Sequence, residues 1–164
     1  MLMRISRQLI LKILAITLFG ISFGYIEAAV VIYLRQLYYP GGFNLPFYPY
    51  LFYVGTPLDF IRFISLPGYF IEIGREVATI TVLLAFSYAA GKNRLEKLAV
   101  FLFTFGIWDI FYYVFLFLMI RWPPSLLSMD ILFLIPVPWL APVIVPISAS
   151  IIMISIAVTM AIKS

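Results

Sequence analysis

Four acidic side chains and one arginine, Glu27, Glu72, Arg75, Glu76 and Asp109, lie inside stretches apolar enough to be membrane spans. Ionised together they would set four negative charges against one positive, and hydrocarbon does not tolerate that imbalance. Protons, a bound cation or an arginine from another segment must offset it. Glu72, Arg75 and Glu76 stand at i, i+3 and i+4, so they share one side of a helix, Arg75 can pair with Glu72, and Thr79 continues that side one turn deeper. Glu27 has no lysine or arginine within a turn, and is therefore protonated, paired across helices or bound to a cation. Asp109 is flanked by Gly106 and Tyr113 at i−3 and i+4, which adds a close-approach point and a phenolic donor to its face.

Two chemistries fit these residue types. In a proton or cation pathway, Glu27, Glu76 and Asp109 bind or relay the ion, Arg75 is an internal counter-charge, Glu72 lies at the rim, and Tyr112 or Tyr113 donates hydrogen bonds. In a metal-dependent enzyme acting on a lipid or other apolar substrate, Glu27, Glu76 and Asp109 hold one or two hard cations. The chain has no histidine and no cysteine, which disfavours haem, zinc and copper and leaves Mg, Ca or Mn as the possible metals. A structural reading stands beside both: Glu72 suits a helix N-terminus, Arg75 can snorkel outward, and Asp109 can serve as a helix-to-helix hydrogen bond.

The elements that must position these groups follow from composition. A chain of 164 residues that is 65% hydrophobic and 11% charged is no ordinary soluble domain; it reads as a single polytopic membrane domain over 1–164. About 20 apolar residues cross the hydrocarbon core. Spans are expected at about 13–34, 69–90, 98–120 and 140–162, joined by an aromatic outer loop at 35–68, an inner hairpin at 91–97 and an outer Pro-rich segment at 121–139. The fold expected is an all-α membrane bundle of four helices with a Pro-broken re-entrant or interfacial segment before the last span. Pro136, Pro138, Pro142 and Pro146 break the first half of the final apolar stretch. The first span follows a basic start as a signal peptide would, but it runs on to Leu34 and reads as retained.

The positive-inside bias gives orientation. Arg4, Arg7, Lys12, Lys92, Arg94, Lys97 and Lys163 fall on one side, seven of eleven basic residues, so both termini are expected in the cytoplasm of a plasma (inner) membrane. Arg35, Arg62 and Arg121 fall outside. Gly91 is placed to cap the second span, and Asn93 with Glu96 makes a capping-box start for the third. By helical rise, Glu27 lies about 12 Å below Arg35, and Asp109 about 18 Å below Arg121, so one shared outer-half site is geometrically possible. Asp130 is read as an exposed cap ahead of a place on the rim of that site.

The function expected is an ion- or proton-handling membrane site. The rivals are an accessory subunit of a larger membrane complex and the metal-dependent enzyme. The partners expected are the lipid bilayer and either further copies of the chain or another membrane subunit. Nucleic acid is excluded, since the basic residues gather in membrane-flanking loops and not on a soluble face.

Overall fold

The computed structural model describes residues 7–38, 41–42, 45, 53–55 and 65–163. Among these the chain is mostly helical: α1 (Arg7–Tyr38), β1 (Tyr53–Val54), α2 (Leu66–Ala90), α3 (Arg94–Ile120), β2 (Met129–Phe133), β3 (Trp139–Pro142) and α4 (Ile144–Lys163). Helices α1, α3 and α4 are long and apolar enough to cross a membrane. Helix α2 is 25 residues long but carries Glu72, Arg75 and Glu76 in its first half, and is not one of the three. Large apolar side chains stand outward on all four, among them Leu18, Phe70, Leu118 and Ile152. Lipid suits that surface; water does not.

Small residues decide how the helices meet. Gly20, Gly24 and Ala28 form one stripe on α1, and the stripe lies against α3. A Cβ on Gly24 would sit 2.8 Å from the Trp108 carbonyl oxygen, and one on Gly20 would sit 2.8 Å from Ile107. Gly106 does the same on the other side of α3, where a Cβ would meet the Ser150 carbonyl of α4 at 2.8 Å. Helix α3 is therefore the hub, with α1 and α4 seated on it by glycine. The backbone of α2 also packs on α3, but its link to α1 is made by side chains: Phe86 stacks on Phe19 at 3.8 Å, and polar groups join them further out. A space is left between α2 and the layer formed by α1, α3 and α4.

The turn between α2 and α3 is built as its residues suggest. Gly91 caps α2, its N–H donating to the Ser87 carbonyl. The backbone of Gly91 is extended, and the need for glycine there is space, since a Cβ would meet Lys97 Cα at 2.6 Å. Asn93 accepts from the Glu96 N–H at 2.9 Å, while the Glu96 carboxylate accepts from the Lys92 N–H at 2.8 Å. The second Glu96 oxygen takes Lys12 of α1, so the start of α1 and this turn lie at the same end.

The all-helical expectation needs correction between α3 and α4. Met129–Phe133 and Trp139–Pro142 form an antiparallel pair, and β1 joins the free edge of β3, giving the order β1-β3-β2. Asp130 pairs with Ala141 and Ile131 with Leu140; a bulge then brings Phe133 opposite Trp139. Pro136 and Pro138 fall in the turn between the strands and Pro142 at a strand end, places where a missing amide donor costs no ladder bond. The last helix accordingly starts at Ile144, four residues later than expected. Pro146 does not break it, because the first four amides of a helix have no intrahelical acceptor to lose. Of the aromatic loop expected at 35–68, the part up to Tyr38 continues α1, Tyr53–Val54 is a strand and Leu66 begins α2; most of the remainder lies outside the described residues.

Candidate functional site

The space beside α2 is a cavity of about 360 Å³. All four helices line it, together with β2, Leu134 and Trp139 of β3. Five of the chain's seven acidic residues reach it, Glu27, Glu72, Glu76, Asp109 and Asp130, together with two arginines, Arg35 and Arg75.

Each acid is held by a different element. Helix α1 presents Glu27, 6% exposed, on the face that carries its glycine stripe. Across the cavity α2 turns Glu72, Arg75, Glu76 and Thr79 to the same space, as their helical spacing requires. Arg75 pairs with Glu27 and also donates from Nε to Glu72 at 2.9 Å. The Thr79 hydroxyl donates to both Glu27 oxygens, at 3.4 and 3.3 Å. Of the three states open to Glu27, the structure has the cross-helix pair, and Arg75 points inward instead of snorkelling.

Glu76 is engaged from above. The Leu134 N–H donates to both of its oxygens, at 3.0 and 2.9 Å. Leu134 directly follows β2, in the turn whose prolines keep the backbone off the sheet ladder, so its amide is free for a side chain. The carboxylate thus ties α2 to the sheet.

Asp130 is not the exposed cap expected: it is 2% exposed and sits on β2 facing inward. Arg35 Nη2 donates to its Oδ1 at 3.1 Å, and the Tyr113 hydroxyl donates to its Oδ2 at 2.9 Å. Arg35 also lies over the Trp122 ring, 3.7 Å from the centroid. Arg35 is therefore part of the cavity wall, although its position at the end of the first apolar run suggested an outer-loop charge. The signal that would have found it is charge balance: four acids and one arginine at similar depth call for a second cation, and Arg35 is the next basic residue along.

Asp109, like Glu76, stands in no ion pair among the described residues. The Ser150 hydroxyl of α4 donates to its Oδ2 at 2.8 Å, and among the described residues no lysine or arginine lies within ion-pair distance of it. Close packing at Gly106 brings Ser150 into range. The neighbours of Asp109 along α3, Phe105, Trp108 and Tyr112, also line the cavity. The Tyr112 ring meets that of Tyr113 edge to face at 4.8 Å. Trp108 is 7% exposed, and its indole N–H has no hydrogen-bond partner among the described residues. Ser150 and Trp108 carry no ionisable group, so a reading based on charge passes over them.

The eight residues singled out from the sequence, Glu27, Glu72, Arg75, Glu76, Asp109, Tyr112, Tyr113 and Asp130, all line this one cavity. Glu27, Glu76 and Asp109, the candidate ligands of a hard cation, are each engaged with a different partner. Among the described residues no three acidic groups converge to hold a metal ion. No protein-family model, curated protein or solved structure matches the chain.

Proposed function

We propose that the chain is a four-helix bundle in a plasma (inner) membrane, both termini cytoplasmic, whose cavity handles protons or cations in transport or an ion-coupled step. Its fourth spanning element is α2. The buried faces of Glu72 and Glu76 support this, since a span whose charges turn inward presents lipid with an apolar surface. The meeting of Lys12 with the basic turn at 92–97 supports a common cytoplasmic end.

One observation carries the functional reading. Five carboxyl groups share the cavity with two guanidinium groups, so full ionisation leaves a formal excess of three negative charges. Arg75 is taken by Glu27 and Glu72, and Arg35 by Asp130, which leaves Glu76 and Asp109 without an ion pair among the described residues; Glu76 is held by the Leu134 N–H, and Asp109 by the Ser150 hydroxyl. Low dielectric makes such an excess costly, and protons or a cation drawn into the cavity lower that cost. Asp109 is the residue where the incoming positive charge settles.

The test is flux. Purified protein in liposomes, given a pH gradient or a potassium diffusion potential, is expected to move protons or cations above the rate of protein-free vesicles. Asp109→Asn is expected to abolish the movement while leaving the melting temperature within a few degrees. Flux that survives Asp109→Asn, or no flux and no cation binding in the folded wild-type protein, sinks the proposal.

A further inference from the structure

We infer that the cavity is a binding site for an organic cation, an amine or quaternary ammonium with its charged head at Asp109 and its apolar body along the aromatic wall of α3. The inference rests on the cation-handling reading and names the class of ligand. Size is the first argument. A cavity of 360 Å³ equals the share of about a dozen liquid waters and falls within the range of small-molecule sites, so a bare ion would leave it nearly empty.

Ligand chemistry is the second. A hard metal ion needs six or more oxygens gathered about a point, and no three acidic groups among the described residues converge in that way. An organic cation needs one carboxylate and faces of π density, because ring quadrupoles attract ammonium groups. Asp109 supplies the carboxylate. Phe105, Trp108 and Tyr112, one turn below, adjacent and one turn above on α3, supply the rings. Trp108 is 7% exposed and its ring stands edge to face with that of Phe105 at 5.1 Å, so the two rings form one continuous aromatic surface beside Asp109.

Charge excludes the alternatives of the same size. An anion would meet five carboxyl groups, and both guanidinium groups are already engaged with carboxylates. A neutral apolar guest would fill the volume but leave Asp109 unbalanced. Access suits an amphipathic cation, since among the described elements the backbone of α2 packs closely on α3, while α2 meets α1 mainly through side chains.

The experiment uses the full chain in maltoside micelles and three probes with the same tail: n-hexyltrimethylammonium, 1-hexanol and n-hexyl sulfate. Binding is read by calorimetry and by tryptophan fluorescence. Hexyltrimethylammonium is expected to bind at least tenfold more tightly than either other probe. Asp109→Asn is expected to lower its affinity at least tenfold and leave that of hexanol unchanged. Phe105→Leu, which keeps the apolar volume and removes the π face, is expected to weaken hexyltrimethylammonium severalfold with no effect on hexanol, and it stands as the readout should Asp109→Asn not fold. Equal affinity for the three probes, or no selective loss in the folded variants, overturns the inference. Sodium, calcium or proton uptake without hexyltrimethylammonium binding overturns it while leaving the cation-handling reading intact. No binding of hexyltrimethylammonium together with no ion uptake overturns both.

Discussion

Gly24 and Gly74 make a matched pair of perturbations. Both are helical glycines, so replacing either by alanine brings the same gain in helix propensity, about 1 kcal/mol. At Gly74 a Cβ meets nothing within 4 Å, whereas at Gly24 it lands 2.8 Å from the Trp108 carbonyl oxygen and 3.1 Å from the Tyr112 amide nitrogen, both backbone atoms. Carbon-to-oxygen contacts between helices sit at about 3.3–3.6 Å, so α1 must retreat from α3 by roughly 0.5 Å or more. Overpacking of that kind costs about 1–3 kcal/mol. Because the propensity gain cancels, Gly24→Ala is expected to be less stable than Gly74→Ala by about 1–3 kcal/mol. Denaturant titration of the two variants in the same micelle, followed by tryptophan fluorescence, measures the difference. The Gly24 variant should also bind cavity ligands more weakly, since Glu27 and Val31 ride on the helix that moves. A difference below about 0.5 kcal/mol, within ordinary mutational scatter, would refute the claim that this glycine seats α1.

Further outcomes are expected elsewhere. Arg35→Met or Asp130→Leu alone should destabilise by about 3–5 kcal/mol, because each leaves a buried partner without its counter-charge, while the two together should recover most of the loss. A double-mutant cycle by denaturation checks this, and simple additivity of the single effects contradicts it. Thr79→Val should cost about 0.5–1 kcal/mol, at the low end for a hydrogen bond given its 3.3–3.4 Å lengths, and the loss should vanish in a Glu27→Leu background. Persistence of the loss in that background would assign Thr79 a packing role instead. Asn93→Ala should cost about 1 kcal/mol through the lost helix cap and leave flux unchanged, which proteoliposome assays can settle. An inactive but stable Asn93→Ala would show that the turn between α2 and α3 belongs to the working site.

The helices were legible because their signals are local. Apolar runs mark all four, and the Gly91, Asn93 and Glu96 punctuation places the turn between α2 and α3 to the residue. The side of α2 that carries Glu72, Arg75, Glu76 and Thr79 was legible from spacing alone. The sheet was not. Its strands are five, four and two residues long, and β1 pairs with β3 from more than eighty residues away, so no local pattern records the pairing. The prolines marked an interruption without saying that strands would fill it. Asp130 was misjudged for the same reason: only a strand turns it to face Arg35, some 95 residues earlier in the chain. Ser150 and Trp108 were invisible because their importance comes from what they face, which tertiary packing alone decides.

The turn between α2 and α3 anchors one end of α2 more firmly than the other. Lys97 presses so closely on Gly91 that the base of α2 is fixed to the base of α3, while further out the helix is held to α1 and the sheet by side-chain bonds. Glu76 lies fifteen residues from that fixed point, a lever arm of about 22 Å. Lengthening its bond from Leu134 by about 1 Å is enough to break it, and on that arm a tilt of roughly 2.6° suffices. A rotation of that size would lengthen the Glu76–Leu134 contact while shifting the base of α2 very little. The tie between α2 and the sheet is therefore sensitive to the angle at which α2 leaves the turn that joins it to α3.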